Sequence, residues 1–248
     1  MPNNYKPLIS IIIVVYNAGT VLEKTLLSIF NQKHDNTELI LIDGASRDNT
    51  LEIIKKYENK IAYWISEPDN GIYDAMNKGA KIALGKYLYF LGAGDILLDV
   101  FDKISPFLIE ENVIYYGNVY RTDLNKLYDG YFSQFKLSVK NICHQAIFYP
   151  AEVFKKYQYN VTYKMQADHD LNMRIYGDKK FFYQYIPLTI AFYQGGGISD
   201  NTLDYAFHRD KLKIIKSNFK YYIFYYAYLR NKVAKLLRRN AYNLNKPK

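Results

Sequence analysis

Four polar side chains stand in the loops that follow the predicted strands of the N-terminal half, where they could act on a bound ligand. They are Asn17, Asp43, Asp69 and Asp95. A carboxylate such as Asp43 can accept hydrogen bonds from a base or a ribose, whereas Asp95 can bind a hard cation that bridges two phosphates. Carboxylate and phosphate oxygens together suit Mg²⁺ or Mn²⁺. These residue types therefore predict a site for a nucleotide and a divalent cation.

The elements that position these residues are predicted from the apolar pattern. Residues 10–15 form a continuous β-branched run, which is typical of a strand buried on both faces of a parallel sheet. Thr20 and Glu23 predict a capping box at the start of the first helix. Further strands are predicted at 38–42, 61–65 and 87–91, each preceded by a helix. This alternation predicts a doubly wound α/β half-domain, in which ligands bind at the carboxyl ends of the strands.

After residue 98 the pattern becomes less regular. One helix is predicted at 99–111, followed by strands or strand-like runs at 113–120, 146–149 and 181–186. No linker rich in Pro, Gly or Ser separates this part from the first. We therefore predict one domain over residues 1–205, made of the halves 1–98 and 99–205, and a basic helical extension over 206–248.

The positive charge of the chain is concentrated in that extension. Of the 33 Lys and Arg residues, 12 lie in residues 206–248 together with one acid, and the preceding 205 residues carry 21 basic and 23 acidic side chains. A nucleic-acid-binding protein would carry its basic charge on the domain, so this distribution disfavours that class. Basic residues interleaved with Tyr, Val and Leu favour a peripheral contact with an anionic membrane surface, with packing on the domain or self-association as the alternative.

Other classes of protein are disfavoured by features that the sequence lacks. Neither a dinucleotide-binding glycine fingerprint nor a P-loop follows the first strand, which argues against an oxidoreductase with a Rossmann fold. Cys143 is the single cysteine, so no internal disulfide can form and a reducing, cytoplasmic compartment is expected. We find no signal-peptide pattern and no apolar stretch of the ~20 residues that a membrane-spanning helix needs.

Five segments, in order along the chain, resemble the family 2 glycosyltransferases with the GT-A fold. They are residues 10–17, 38–50, 66–79, 90–95 and 167–174. The resemblance implies a GT-A-like, Rossmann-type sandwich with a mostly parallel central sheet. It also implies an inverting transferase of the bacterial surface-polysaccharide type, which takes a sugar from a nucleotide-diphosphate sugar, most often a UDP-sugar. The implied acceptor is a glycan or a lipid-linked saccharide at the cytoplasmic face of the membrane.

The resemblance also implies a role for each matching residue. Asp95 would ligate Mn²⁺ or Mg²⁺, and Asp168 would be the general base that takes a proton from the acceptor hydroxyl. The half 1–98 would bind the nucleotide-sugar and the half 99–205 the acceptor. The residues implied on the donor side are Tyr16, Asn17, Asp43, Asp69, Asp74, Gly94 and Asp95. Those implied on the acceptor side are His144, Gln145 and Gly196.

Two glycines depart from the pattern of the family. Many members have two adjacent acids after the second and fourth strands, whereas Gly44 and Gly94 stand beside Asp43 and Asp95 here. The protein would therefore supply one clear carboxylate ligand to the cation, that of Asp95. A catalytically impaired, nucleotide-sugar- or glycan-binding relative consequently remains an alternative to the enzyme.

Most of the candidate residues also have a purely structural interpretation. Asp43 and Asp95 could cap a loop and a turn, and Asp168 could be the N-cap of a helix that begins near residue 170. Asp69 and Asp74 could be turn and helix-start acids, and His144 an ordinary, partly buried histidine. In the same segment, His169 is expected to face solvent and Asp170 to pair with Arg174 one helical turn later.

Overall fold

The first part of the chain alternates strands and helices, as the apolar pattern predicts. The computed structural model describes residues 6–33, 36–195 and 202–244. The strands of this part are β1 (Ile9–Val15), β2 (Thr37–Asp43), β3 (Tyr63–Ser66) and β4 (Tyr87–Gly92). Its helices are α1 (Leu22–Phe30), α2 (Thr50–Lys56) and α3 (Ile72–Ile82). Because β1 pairs in parallel with β2 and β4, and β2 with β3, the loops that follow these strands meet at one edge of the sheet.

The second part adds antiparallel strands and shorter helices. Its strands are β5 (Ile96–Leu97), β6 (Val113–Arg121), β7 (Lys126–Tyr128), β8 (Ile147–Pro150) and β9 (Phe182–Tyr193). Its helices are α4 (Phe101–Ile104), α5 (Gln134–Val139), α6 (Ala151–Lys156) and α7 (Ala167–Gly177). The chain therefore continues into the same fold after residue 98.

All the strands that the structure describes join one sheet in the order β3-β2-β1-β4-β8-β6-β9-β5, with β7 paired to β6. Within it β8 runs antiparallel to both β4 and β6, while β9 runs parallel to β6. Six of these nine strands point in the same direction, which confirms the α/β class with a mostly parallel central sheet. Since β8 runs against β4, the residues just before β8 lie at the edge where β4 ends.

Apolar side chains cover both faces of the sheet. On one face Ile12, Ile42 and Phe90 pack with residues of α3 and α7, and on the other Ile13 and Leu41 pack with residues of α1 and α2. Successive residues of a strand point to opposite faces, which explains why the central strands are apolar without alternation. The core therefore fixes the positions of the strand ends that carry the candidate residues.

Two helices follow, α8 (Tyr205–Asn218) and α9 (Tyr221–Leu244), which confirms the predicted basic helices. Phe207 and Ile215 of α8 are buried in the core cluster that contains α7, and Ile223 and Ala227 of α9 belong to the same cluster. The N-terminal half of α9 therefore packs on the domain. No helix in the described ranges is long and apolar enough to cross a membrane.

Several local predictions were wrong. Val21, not Thr20, precedes α1, and Glu23 binds Lys56 and Tyr57 instead of closing a capping box. The helix predicted at 99–111 is reduced to α4 and one following 3₁₀ turn at Ser105–Phe107. The strand predicted at 181–186 extends to Tyr193, because its continuation pairs with β6 and β5. Pairing across the sheet therefore determines the length of β9, and the local apolar pattern carries no information on that pairing.

Candidate active site

Asp95 lies in a tight turn directly after β4. Its backbone N–H donates to the carbonyl of Gly92 at 3.1 Å, and the Thr25 hydroxyl donates to the Asp95 carbonyl at 2.9 Å. The Thr25 hydroxyl also accepts from the N–H of Gly94, where φ is +99°, a conformation that residues with a side chain rarely adopt. The turn itself therefore explains why Gly94, and not a second acid, precedes Asp95.

The carboxylate of Asp95 is 5% exposed. Burial raises its pKa, because the charged form loses its hydration, while the Gln145 amide and a positive charge on His144 act in the opposite direction. The Gln145 side chain donates from Nε2 to Oδ2 of Asp95 at 2.7 Å. A cation near this carboxylate would stabilise its ionised form in a medium of low dielectric constant.

Gln145 is itself held from two sides. Its side-chain Oε1 accepts from the Cys143 thiol at 2.7 Å, and its backbone carbonyl accepts from the Tyr89 hydroxyl at 2.9 Å. Burial raises the pKa of the Cys143 thiol well above its usual range, and the negative charge of Asp95 adds to this effect, so the sulfur stays protonated and can donate. Gln145 was predicted on the acceptor side, and the structure brings its amide to Asp95.

Asp168 is the second residue of α7, and the residue that precedes this helix is Gln166. The alternative that Asp168 is an N-cap is therefore wrong. Oδ1 of Asp168 accepts from the N–H of His169 at 2.8 Å and lies 3.0 Å from the hydroxyl oxygen of Tyr73. The Tyr73 hydroxyl also lies 3.0 Å from the carbonyl of Met165. Burial, followed by the nearby Asp168 charge, raises the pKa of Tyr73 well above its usual value, so this hydroxyl remains a donor.

The other oxygen of Asp168 faces His144. Nδ1 of His144 lies 3.5 Å from Oδ2 of Asp168, and Nε2 is buried with no hydrogen-bond partner among the described residues. His144 and Gln145 lie in the 3₁₀ turn before β8, which reaches the edge of the sheet beside the end of β4. One dipeptide thus approaches both carboxylates, Gln145 at Asp95 and His144 at Asp168.

Asp43, at the end of β2, is completely buried and bound within the protein. Its carboxylate accepts from the Ser46 hydroxyl and the Ser66 hydroxyl, both at 2.5 Å, and from the Ser46 N–H at 3.0 Å. The Ser46 hydroxyl oxygen in turn accepts from the N–H of Asn17 at 2.8 Å. Asp43 therefore joins the loops after β1 and β2 to the end of β3, as the loop-capping interpretation expects, and Tyr16 beside it is 64% exposed.

Asp69 and Asp74 make local contacts at the start of α3. Asp69 accepts from the N–H of Gly71 at 2.8 Å, and Asp74 accepts from the N–H of Asn70 at 2.9 Å. A Cβ atom on Gly44 would lie 2.6 Å from Oδ2 of Asp69, so glycine is what allows this carboxylate to approach the end of β2. Asp69 thus lies in the group formed by the strand ends, while the carboxylate of Asp74 is engaged as a helix-start acid.

The remaining predictions in this region have mixed outcomes. The expectation that His169 faces solvent is wrong, because its ring is buried and its Nε2 lies 2.7 Å from the Leu137 carbonyl. Burial is the main cause that lowers its pKa to about 3. The ion pair between Asp170 and Arg174 is confirmed at 2.8 Å. Gly196 lies outside the described residues.

Sequence reasoning missed several residues that support the site. Tyr73 lies inside a segment that carried the family resemblance, yet nothing in its spacing indicates a contact with residue 168. Thr25 and Cys143 look like ordinary helix and core residues. Asp204 is a fourth: its carboxylate accepts from the N–H groups of Met165, Gln166 and Phe207 at 2.9, 3.2 and 3.1 Å, which ties the start of α8 to the start of the helix that carries Asp168.

Two carboxylates of the site, those of Asp95 and Asp168, have the chemistry to ligate a cation or to accept a proton. Within the described residues no group of three or more His, Cys, Asp or Glu side chains could enclose a metal ion. Asp95 alone fits a cation that takes its other ligands from phosphate and water, as Mg²⁺ commonly does. The arrangement is therefore suited to a substrate that carries phosphates to Asp95 and a hydroxyl group to Asp168.

Comparison with known proteins finds similarity to glycosyltransferases. The profile of the family described as Glycosyl transferase family 2 matches residues 10–171. A PGL/p-HBAD biosynthesis glycosyltransferase of Mycobacterium bovis is 36% identical over 211 residues, which cover 81% of the chain and 82% of that protein.

Solved structures of low sequence identity share the fold. Residues 1–349 of S. aureus TarS, in complex with UDP-GlcNAc, superpose with a TM-score of 0.68 at 17% identity, covering 85% of the chain and 67% of TarS 1–349. A mannosyltransferase of Pyrobaculum calidifontis, in complex with GDP-Man and Mn²⁺, gives a TM-score of 0.62 at 14% identity. The similarity covers 87% of the chain and 64% of that mannosyltransferase. These similarities confirm the GT-A type of fold.

Proposed function

The chain belongs to glycosyl transferase family 2, and we propose that it transfers a sugar from a nucleotide-diphosphate sugar to a hydroxyl group of a glycan or a lipid-linked saccharide. The proposed donor is a UDP-sugar, the reaction inverts the anomeric centre, and the product belongs to the synthesis of a bacterial surface polysaccharide. TarS, of the same fold, is known in complex with UDP-GlcNAc, which supports a nucleotide-sugar as donor.

One observation carries this proposal: the dipeptide of His144 and Gln145 approaches two carboxylates of different halves of the domain. Asp95 follows a strand of the first half, and Asp168 lies on a helix of the second. Gln145 binds the first at 2.7 Å and His144 lies 3.5 Å from the second. Transfer of a sugar needs one group at the leaving diphosphate and one at the attacking hydroxyl, and Asp95 and Asp168 would meet these two needs.

On the donor side, Asp95 would hold the diphosphate through Mn²⁺ or Mg²⁺. Such an ion supplies Lewis-acid stabilisation of the negative charge that develops on the leaving diphosphate, worth several kcal/mol. The solved mannosyltransferase complex contains Mn²⁺, which supports this ion for the fold. Tyr16, Asn17 and the loop held by Asp43 would accommodate the nucleotide, with Asp69 beside them.

On the acceptor side, Asp168 would be the general base. Oδ1 is engaged by the His169 N–H and faces the Tyr73 hydroxyl, so Oδ2 is the oxygen that we expect to take the proton of the acceptor hydroxyl. A positioned base of this kind contributes roughly 10²–10⁴ in rate. Attack on the face opposite the leaving diphosphate would invert the anomeric centre.

The C-terminal helix supports a peripheral contact with the cytoplasmic face of a membrane. An exposed apolar stripe with the spacing of one helix face runs along α9, beside Ile223 and Ala227, which pack on the core. Its residues are Tyr222, Tyr225, Tyr226, Leu229, Val233 and Leu236. Arg230 and Lys232 are exposed beside it, and such basic side chains gain about 1 kcal/mol each near an anionic leaflet.

The proposal is tested by slow hydrolysis of nucleotide-sugars by the purified chain. A panel of UDP-sugars is incubated with Mn²⁺ and, in parallel, with EDTA, and release of UDP is measured. We expect release from at least one UDP-sugar, at a rate that falls in EDTA. If no nucleotide-sugar is hydrolysed and calorimetry detects no UDP binding with Mn²⁺ present, the proposed donor chemistry is wrong.

A further inference from the structure

A short chain of hydrogen bonds connects a thiol, an amide and a carboxylate at the end of β4. The Cys143 thiol donates to Oε1 of Gln145 at 2.7 Å, and Nε2 of Gln145 donates to Oδ2 of Asp95 at 2.7 Å. Gln145 is 3% exposed, so water cannot readily replace either partner. The proposed function uses Asp95 as the ligand of the cation and the position of Gln145 beside it, but it gives the Gln145 amide and the Cys143 thiol no chemical task.

The Asp95 carboxylate and the Cys143 thiol together favour one orientation of the Gln145 amide. A reversed amide would place the Nε2 donor against the S–H donor, and the Oε1 acceptor against an oxygen of the Asp95 carboxylate. The contact with the carboxylate would then be repulsive, the contact with Cys143 would rest on sulfur as a weak acceptor, and Gln145 is too buried for water to relieve either. Because the thiol stays protonated, the donor end of Gln145 is directed at Asp95.

The backbone around Asp95 leaves room for this contact. A Cβ atom on Gly92 would lie 2.7 Å from Oδ2 of Asp95 and 4.0 Å from Nε2 of Gln145. The glycine therefore allows the carboxylate to fold back to the amide. Asp95 is the single acid of this turn. The neutral Gln145 amide binds its carboxylate without placing a second negative charge beside it.

We propose that Gln145 is a positioning residue that holds the Asp95 carboxylate towards the cation of the donor diphosphate, with the Cys143 thiol helping to set its amide orientation. This rests on the proposed function, in which Asp95 is the ligand of that cation. Partners of metal ligands commonly change metal affinity by roughly 10- to 100-fold when they are removed. A positioning role differs from general support of the fold, because it predicts a loss of UDP affinity that occurs only when the metal is present.

The experiment measures UDP binding by calorimetry with saturating Mn²⁺ and in EDTA. We expect Gln145→Met, which retains the length of the side chain but cannot donate, to weaken UDP binding about 10-fold with Mn²⁺ and to leave binding in EDTA unchanged. Cys143→Val should weaken binding in the same direction. Cys143→Ser retains a donor and should bind like the unchanged chain, which makes it the matched control.

Each outcome supports or overturns a defined statement. If Gln145→Met binds UDP with Mn²⁺ as tightly as the unchanged chain, or loses equal affinity with and without Mn²⁺, the positioning role is wrong. If Cys143→Ser loses as much affinity as Cys143→Val, the thiol does not act through hydrogen bonding. If the unchanged chain binds no UDP in the presence of Mn²⁺, the donor chemistry of the proposed function is wrong. The positioning role of Gln145, which depends on that chemistry, is then wrong as well. Thermal unfolding of every variant shows whether the fold is retained.

Discussion

The hydroxyl oxygen of Tyr73 lies 3.0 Å from Oδ1 of Asp168, although 95 residues separate the two positions. Tyr73 belongs to α3 of the first half and Asp168 to α7 of the second. The tyrosine is buried and stays protonated, so its hydroxyl is a donor within reach of the carboxylate and of the Met165 carbonyl. This contact joins the two halves of the domain at the residue that we propose as general base.

We predict that Tyr73→Phe lowers the rate of transfer about 10-fold while the KM for the donor changes little. The reason is that Asp168 would lose a partner that orients its carboxylate, and a loss of about 1.4 kcal/mol corresponds to a tenfold lower rate. The measurement is steady-state kinetics at several donor concentrations. Tyr159→Phe is the matched control, because the Tyr159 ring packs on Tyr73 and its hydroxyl has no partner among the described residues. Equal rates for both variants would show that the bond to Asp168 is unimportant.

A second prediction distinguishes the roles of Asp95 and Asp168 by whether a variant of each residue still binds UDP with Mn²⁺. Asp168→Asn should lose roughly 10²–10⁴ in kcat and bind UDP with Mn²⁺ normally, because only the proton acceptor is removed. Asp95→Asn should lose UDP binding that depends on Mn²⁺, because the charged ligand is removed. Calorimetry and kinetics on both variants test this. If Asp168→Asn were as active as the unchanged chain, another group would have to be the base.

The sequence predicts the position of Asp95 but not its surroundings, for a physical reason. The apolar run of β4 places its end at the edge of a parallel sheet, so an acid after it is recognisable. The contact with Gln145 arises because β8 inserts antiparallel between β4 and β6, which brings together residues 50 positions apart. Hydrophobic periodicity defines elements and carries no information on which strands pair. The fold class was therefore predictable and the partners of the carboxylates were not.

The prediction that His169 faces solvent was wrong for the same kind of reason. Its neighbours in sequence are acids, which suggested an exposed helix start. In the structure α8 covers this face of α7, and the His169 ring packs at 5.3 Å from the ring of Phe207. A long-range contact therefore overrides the local polar pattern.

This buried histidine predicts a measurable dependence of stability on pH. Its pKa is about 3 in the folded chain and 6.5 when exposed, so between these values the unfolded chain binds one more proton. The unfolding free energy should therefore fall as the pH drops below 6.5, by about 2 kcal/mol at pH 5 from this group alone. The amide of His169→Gln can still donate to the Leu137 carbonyl but cannot take up a proton. We therefore expect the unfolding free energy of this variant to fall less below pH 6.5 than that of the unchanged chain.

The check is chemical denaturation of both proteins between pH 5 and pH 7.5. Other groups with shifted pKa values, such as Asp170, remain in both proteins, so the difference between the two curves isolates residue 169. A difference that grows as the pH falls supports the assignment. Parallel curves would mean that His169 is not held neutral in the folded chain.

The last prediction concerns the apolar stripe of α9. Leu229, Val233 and Leu236 are each more than half exposed, whereas Ile223 and Ala227 earlier in the helix are buried in the core. Replacing the three exposed residues by Gln should leave the unfolding midpoint nearly unchanged. It should weaken binding to vesicles that contain anionic lipid by more than 10-fold, because each removed side chain would contribute about 1 kcal/mol or more of apolar burial. Cosedimentation measures this, with Ile109→Gln as a control at an equally exposed position away from the stripe. Binding that persists in the triple variant, or that is equally strong to neutral vesicles, would contradict a membrane role built on apolar insertion and basic charge together.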